Sequence, residues 1–386
     1  MDFKFSEDEQ SVVEMITKYA AEKVAPRAAE VDEKEEFPVD TWKELADMGM
    51  FGIPFDEKYN GGGMTFLTYV VVCEKLAEVC GTTSVMVAAH TSLCAWPISY
   101  FGTEEQKMKY LSKLASGESL GAFGLTEPNA GSDAGGTETT AVDKGDHWLL
   151  NGSKIFITNA GYADIFVIFA ATDKSKGTRG GITAFIVERS DAGFTVGAHE
   201  KKMGIRGSST CQLFFEDCKI PKDRLLGEVG EGFKIAMKTL DGGRVSIGAQ
   251  ALGIAQGAIN ECIKYVKERV QFGKRISQFQ NTQFELADMQ TKVNAARFLL
   301  YKAAQGKEDG DADYGFYSAQ AKLFASEVAS DVTRRCLQLV GGMGYTREFP
   351  FERFMRDAKI TEIYEGTSEV QKIVISAKMG INYFIP

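Results

Sequence analysis

Two changes of hydrophobic period divide this chain, and they restrict its fold more than any other feature. Apolar residues recur at helical spacing up to about residue 120, break into short strand-like runs to about residue 229, and return to helical spacing from Gly230 onward. Blocks ordered helices, strands, helices build segregated layers and not the alternating units of a parallel sheet. The expectation is an α+β multidomain protein with domains over residues 1–120, 121–229 and 230–386. A length of 386 residues agrees, being too long for one ordinary core.

In the first block, Ser6-Glu7-Asp8-Glu9 has the form of a capping box, with Ser6 capping and Glu9 reaching back. Val12, Ile16, Tyr19 and Lys23 follow at helical spacing, and Pro26 is expected to stop the run. Asp40 is placed to cap a second helix with Trp42, Leu45 and Ala46 inward and Gly49 closing it. Tyr69, Val72, Cys73 and Leu76 form another amphipathic face after a glycine loop at 59–63. In the middle block, Trp148-Leu149-Leu150 and Ile155-Phe156-Ile157 flank Asn151-Gly152, a strong hairpin signal. Further strands are expected at 165–170, 182–187 and 212–215, and their spacing predicts a small barrel or sandwich. Phe233, Met237 and Leu240 open the third block, and Ile259, Ile263 and Val266 continue it. Long helices are expected at 280–305 and 314–339, and a last one after Thr367. The acidic, glycine-containing stretch 307–313 reads as an exposed loop.

A net charge of −9 argues against a nucleic-acid binder. No apolar run approaches the ~18 residues of a membrane helix, and the opening Met1-Asp2-Phe3-Lys4-Phe5 carries no apolar signal core. These features predict a cytoplasmic protein, or a mature mitochondrial-matrix form shorn of its transit peptide. The seven cysteines are odd in number and lack Cys-x-x-Cys spacing, which predicts reduced, buried thiols and neither disulfides nor a zinc site. The Rossmann glycine fingerprint, the Walker phosphate loop, His-Glu-x-x-His and Gly-x-Ser-x-Gly are all missing. His90, His147 and His199 are far apart, so no metal site is expected and acid–base work falls to a carboxylate.

Four passages remain, each with a plain alternative. Ala122 to Asp133, reading Ala-Phe-Gly-Leu-Thr-Glu-Pro-Asn-Ala-Gly-Ser-Asp, has the small and hydroxyl residues that let a backbone approach a ligand, or simply turn between domains. Ile155-Phe156-Ile157-Thr158-Asn159 offers a ring and a hydroxyl to a flat ligand, or plain sheet core. Gln338-Leu339-Val340-Gly341-Gly342-Met343-Gly344-Tyr345 suits a pyrophosphate or a helix end. In Arg356 to Glu369, Thr367 or Ser368 can cap the next helix and leave Glu365-Gly366 in the loop before it. That glutamate is either a functional group or a solvated charge.

Together and in this order, the four passages resemble the acyl-CoA dehydrogenase family along essentially the whole chain, most closely its short-chain, butyryl-CoA-type members. The resemblance implies an N-terminal α-helical domain, a middle β-barrel and a C-terminal four-helix bundle. It implies FAD as cofactor, an acyl-CoA substrate, an electron-transferring flavoprotein as partner, and a homotetramer in which a neighbouring subunit contributes to each FAD. By matching motifs, Phe123, Leu125, Thr126 and Ser132 would line the flavin, with Phe156 and Thr158 on its other side, and Ser132 would also touch the thioester ligand. Arg269, Gln271, Phe272 and Gln280 match the neighbour's contribution, and Gln338, Gly341 and Gly342 match the stretch facing the adenosine pyrophosphate. Thr367 and Glu369 match flavin-side positions, and Asp241, Arg244 and Gly366 match substrate-side positions. Glu365 matches the catalytic base. Gly243 matches the base position of a minority of relatives and, as glycine, cannot serve.

The implied reaction has Glu365 removing the pro-R α-proton of an acyl-CoA while the β-hydrogen and two electrons pass to the flavin, giving a trans-2-enoyl-CoA. Residues 91–98 resemble the pocket region of short-chain members. The same fold also admits an enoyl-CoA reductase complexed with an electron-transferring flavoprotein, an oxygen-reactive oxidase, and an acyl-CoA-binding protein without activity.

Overall fold

The computed structural model describes residues 5–381; the opening Met1-Asp2-Phe3-Lys4 lies outside them. α1 (Glu7–Tyr19) begins with the expected capping box: the Ser6 N–H donates to Glu9 Oε2 at 2.9 Å and the Glu9 N–H to Ser6 Oγ at 3.2 Å. Pro26 does not end the helix. A π turn at Ala20–Val24 leads directly into α2 (Ala25–Lys34), so the proline falls in a first turn, where its missing N–H breaks no ladder bond. α3 (Val39–Asp47) starts before Asp40, which sits in the first turn and does not cap it. α4 (Phe66–Ala77) is capped by Thr65 and buried on nearly every side. α5 (Gly81–Ala88), a π turn (Ala89–Ala95) and α6 (Trp96–Phe101) run on without a break. α7 (Glu104–Gln106) and α8 (Ser112–Ala115) complete the block.

The middle block is one sheet made of β1 (Gly121–Gly124), β2 (Thr140–Asp143), β3 (His147–Ile157), β4 (Ile165–Ala171), β5 (Ile182–Glu188), β6 (Phe194–His199), β7 (Cys211–Pro221) and β8 (Leu225–Leu226). Its hydrogen-bonded order is β6-β7-β3-β2-β4-β5-β8, with β1 parallel to β4. Among the described residues β6 and β8 do not pair, so the sheet path is open where a closed barrel was expected. β8 has only two residues and β6 bonds only to β7, which leaves little backbone to close the ring.

Asn151-Gly152 turns no hairpin. Both residues lie inside β3, at a register shift between Leu150 and Gly152 in its pairing with β7. The Asn151 amide donates to Asp217 Oδ1 at 3.1 Å and accepts from the Asp217 N–H at 2.8 Å, so a bulge takes up the turn-forming pair. The β2–β3 turn is Lys144-Gly145-Asp146, closed by the Lys144 N–H on His147 O at 2.9 Å.

α9 (Gly232–Glu268) leads through a small hairpin, β9 (Val270–Gln271) and β10 (Lys274–Arg275), to α10 (Gln280–Glu308) and α11 (Tyr314–Val340). α12 (Gly342–Tyr345), α13 (Phe351–Ile360) and α14 (Ser368–Lys378) follow. α9, α10 and α11 pack on one another, α14 packs on α11, and α13, which has no counterpart among the expected helices, packs on α11 and α9. Lys307 and Glu308 belong to α10, so the exposed loop starts later than expected. The Lys307 ammonium lies over the Phe66 ring, 3.7 Å from its centroid.

The two helical blocks are not segregated. A single core runs from Ile16 through Val72 to Ile254 and Ala325. Small residues on α9 let α4 come this close: a Cβ on Gly253 would stand 2.2 Å from Glu74 O, and one on Gly257 2.0 Å from Glu78 O. All seven cysteines are free and buried. No helix among the described residues is long and apolar enough to cross a membrane.

Candidate active site

After β1 the chain folds back on itself, with Glu127 and Ala130 exchanging backbone bonds of 3.0 and 3.1 Å. A buried ion pair ties this turn to β3. Lys154 Nζ donates to Glu127 Oε1 at 2.6 Å and to Leu125 O at 3.1 Å, with both side chains sealed from solvent. Glu127 also accepts from the Glu138 N–H at 2.6 Å and the Thr139 N–H at 3.1 Å. Burial pushes the Glu127 carboxyl up, but the Lys154 ammonium and the backbone donors outweigh it and leave it below its ordinary value. Lys154→Met strands this carboxylate without a counter-charge. It is expected to cost about 3–5 kcal/mol, read as a lower midpoint of urea unfolding. An unchanged midpoint would show that the pair does not hold the turn.

The Ile155 N–H donates to Thr126 O at 2.9 Å and so brings the end of β3 beside the turn. The result is one cavity of about 320 Å³, within the range of small-molecule sites, lined by Phe123, Leu125, Thr126, Ser132, Phe156, Thr158, Arg244, Glu365 and Gly366. Phe156 is not sheet core. It adopts φ 60° and is 60% exposed. A left-handed phenylalanine is a strained arrangement, and here it presents an uncovered ring to the cavity. The hydroxyls of Thr126, Ser132 and Thr158 make no hydrogen bond among the described residues. An open aromatic face with free hydroxyls around it fits a flat ring system with polar edges.

The opposite wall comes from the loop between α13 and α14. Thr367 caps α14, accepting from the Val370 N–H at 3.3 Å, which leaves Glu365 and Gly366 in the loop at φ 53° and 94°. Gln371 Nε2 donates to Glu365 O at 3.2 Å and to Gly366 O at 2.8 Å, and Lys322 Nζ donates to Gly366 O at 2.7 Å. The Tyr364 hydroxyl donates to the Gln250 amide oxygen, and Gln250 Nε2 donates to Gly81 O at 2.8 Å. Glu365 is no solvated charge: its Oε2 is buried and has no hydrogen-bond partner among the described residues. Burial pushes this carboxyl up to about 8, against the opposing pull of Lys322 and Arg244. Gly243 is more than a vacant base position, because a Cβ there would stand 1.9 Å from Glu365 Oε2.

Other expected residues lie off the cavity wall. Asp241 stands behind Arg244, accepting from its Nη1 at 2.6 Å. Thr367 is occupied as a cap, and Glu369 is exposed in the first turn of α14. Arg269, Gln271, Phe272 and Gln280 are exposed around the β9–β10 hairpin, and Phe272 is 92% exposed. Gln338, Gly341 and Gly342 are exposed at the end of α11. Lys322, Gln371 and Gln250, which hold the Glu365 loop, belong to none of the four motif passages except by adjacency. Lys322 carries a sequence signal, since it lies between Ala321 and Ala325 on the inward face of α11. Among the described residues no group of three His, Cys, Asp or Glu side chains could hold a metal ion.

Family profiles described as the N-terminal, middle and C-terminal domains of acyl-CoA dehydrogenase match residues 6–118, 122–218 and 230–380. The chain is 55% identical over 379 residues to the short-chain-specific acyl-CoA dehydrogenase of Clostridium acetobutylicum, covering 98% of this chain and 100% of that one. Its fold matches butyryl-CoA dehydrogenase from Megasphaera elsdenii with a TM-score of 0.96 at 49% identity, over 98% of this chain and 100% of that one. A structure of the electron transferring flavoprotein of Acidaminococcus fermentans, reported in work on flavin-based electron bifurcation, contains a chain that matches with a TM-score of 0.96 at 51% identity, over 98% of this chain and 99% of that one. Continuous matches over all three parts of the chain, together with a buried carboxylate facing an open aromatic wall, leave one assignment: the protein belongs to the acyl-CoA dehydrogenase family.

Proposed function

We propose that this protein dehydrogenates a short-chain, butyryl-CoA-like thioester to its trans-2-enoyl-CoA, with Glu365 as the base that takes the α-proton. The observation that carries this reading is the Glu365 carboxylate, buried, unpartnered among the described residues and facing the same cavity as Thr126 and Phe156. A solvated carboxylate is too weak a base for an α-proton. Burial strengthens it, and donors on the thioester oxygen stabilise the enolate-like charge that develops. The Glu365 N–H is the chain's own candidate donor. Arg244, with Asp241 behind it, would orient the CoA arm, with Ser132 and Gly366 beside the thioester.

The cofactor is FAD, and when bound it supplies the acceptor for two electrons and the β-hydrogen. Phe123, Leu125, Thr126, Ser132, Phe156 and Thr158 would hold its ring system, with Thr367 and Glu369 at its flank. Arg269, Gln271, Phe272 and Gln280 would reach the FAD of a neighbouring copy in a homotetramer, beside Gln338, Gly341 and Gly342. The nearly full exposure of apolar Phe272 supports a covering partner. Arg269 suits a pyrophosphate, because a guanidinium offers a fixed fork of donors.

The electrons would pass to an electron-transferring flavoprotein. The likeness to the Acidaminococcus fermentans structure supports that partner, and also a second reading in which the same pair runs in reverse as an enoyl-CoA reductase. Free, buried cysteines and bacterial relatives support a cytoplasmic setting. Val85, Ala89 and Leu93, all buried, are among the residues lining the cavity, and this apolar lining supports a short acyl chain. The test is a titration of the FAD-loaded protein with butyryl-, octanoyl- and palmitoyl-CoA. Butyryl-CoA is expected to bleach the flavin band most completely. Strongest bleaching by palmitoyl-CoA would overturn the chain length, and no bleaching by any of them would overturn the reaction. Rates in both directions, with and without the partner flavoprotein, separate dehydrogenase from reductase.

A further inference from the structure

Among the described residues two lysines are fully buried, Lys154 and Lys322, and they are paired very differently. Lys154 meets a carboxylate at 2.6 Å. Lys322 has no carboxylate within ion-pair distance among the described residues, and its side chain's one hydrogen bond is to a neutral carbonyl, Gly366 O, at 2.7 Å. A buried ammonium without a paired anion is costly, and a well-packed apolar side chain at such a place commonly stabilises a fold more. Fold stability alone therefore gives little account of Lys322. Its one bond lands on the residue after the base.

The loop needs such an anchor. Glu365 takes a left-handed φ of 53°, which a non-glycine residue keeps only when its surroundings over-determine it, and Gly366 follows at φ 94°. The Gly366 carbonyl accepts from Lys322 Nζ at 2.7 Å and from Gln371 Nε2 at 2.8 Å, which fills both lone pairs. One donor is charged and comes from α11; the other is neutral and comes from α14. Resting on the assignment of Glu365 as base, we infer that Lys322 is a positioning residue: its buried ammonium pins the Gly366 carbonyl, keeps Glu365 turned into the cavity, and sets a positive charge behind the base.

The groups facing this pair are few. Glu365 sees Lys322 from α11, Arg244 from α9 and the Tyr364 phenol from its own loop. Lys322 sees Glu365, Arg244, Glu362 and Glu369. Arg244 is already bound to Asp241 at 2.6 Å, and Glu362 to Lys359. Lys322 is thus the cation whose field falls most freely on Glu365. A cation there favours the carboxylate, so removing it raises the proton affinity of the base and moves the acid limb of kcat/KM to higher pH. Burial brings Lys322 itself down to about 8, so the difference should narrow above that pH, where it loses its own charge.

The test compares FAD-loaded wild type, Lys322→Met and Gln371→Leu with butyryl-CoA across pH. Lys322→Met is expected to lower kcat by about 10–100-fold, as for a misplaced catalytic group, with little change in KM, and to raise the acid limb by about one pH unit. Gln371→Leu removes the neutral donor on the same carbonyl, so it should lower kcat without moving the limb. If Lys322→Met fails to accumulate, Lys322→Gln removes the charge while keeping a donor and should show the same limb shift. An acid limb identical to wild type in the neutral variant that folds overturns the role of Lys322 and leaves Glu365 untouched. A wild type that neither turns over nor bleaches overturns the base assignment and this inference with it.

Discussion

Glu365→Gln is expected to keep FAD and fold and to lose at least about 10²-fold in turnover, the usual scale of a general base. The amide nearly matches the carboxylate in shape, so packing survives and only the proton acceptor is lost. In the wild type, a carboxyl pushed up to about 8 predicts that kcat/KM falls as pH drops below that value. The residual activity of the variant should lack that limb. Stability should respond in the opposite sense. The folded carboxyl binds its proton more tightly than an unfolded one at 4.5, so between about 4.5 and 8 the native state holds more protons. Stability therefore falls as pH rises through that window. Glu365→Gln removes this loss, and its thermal midpoint should exceed the wild type's at pH 8 while the two converge near pH 4.5. Turnover close to wild type would end the assignment of Glu365.

Features decided by neighbours in sequence are legible in the sequence. The Ser6–Glu9 capping box forms because its bonds span three residues, and the cap at Thr367 leaves Glu365 in the preceding loop, as expected. Features decided across the fold are not legible in this way. Pro26 ends a helix by local rules, yet a π turn accommodates it. Asn151-Gly152 favours a tight turn, but pairing with β7 converts it to a bulge. The two helical blocks look independent in sequence, because nothing local reveals that Gly253 and Gly257 open α9 to α4. At the site, motif order locates the cavity wall from Phe123 to Thr158, whereas the burial of the base depends on contacts from α9 and α11. Lys322 and Gln371 lie outside every motif and meet the loop through its backbone carbonyls. Arg269, Phe272 and Gln338 remain away from the cavity because a single chain leaves them facing outward.

Gly243→Ala should separate stability from activity without altering the base itself. The position lies in the interior of α9, where alanine is the better helix former by roughly 0.5–1 kcal/mol. The added methyl meets Glu365 Oε2 at 1.9 Å and Leu93 Cδ2 at 2.8 Å. Both are ends of side chains, so the backbone need not move and the fold is expected to persist with an unchanged or slightly higher melting temperature. The carboxylate, however, cannot stay where it is. A displacement on the order of 1 Å costs about 10²-fold in rate, so kcat should fall by about that factor. Unlike Glu365→Gln, this variant keeps a titratable base, and its remaining activity should still rise with pH along an acid limb. Pushing the carboxylate toward the open cavity returns some water to it, so that limb should sit lower than in wild type. Wild-type turnover in Gly243→Ala would mean that the carboxylate works from some other position. Loss of turnover together with a collapsed melting temperature would mean that the methyl disrupts α9 and not the base.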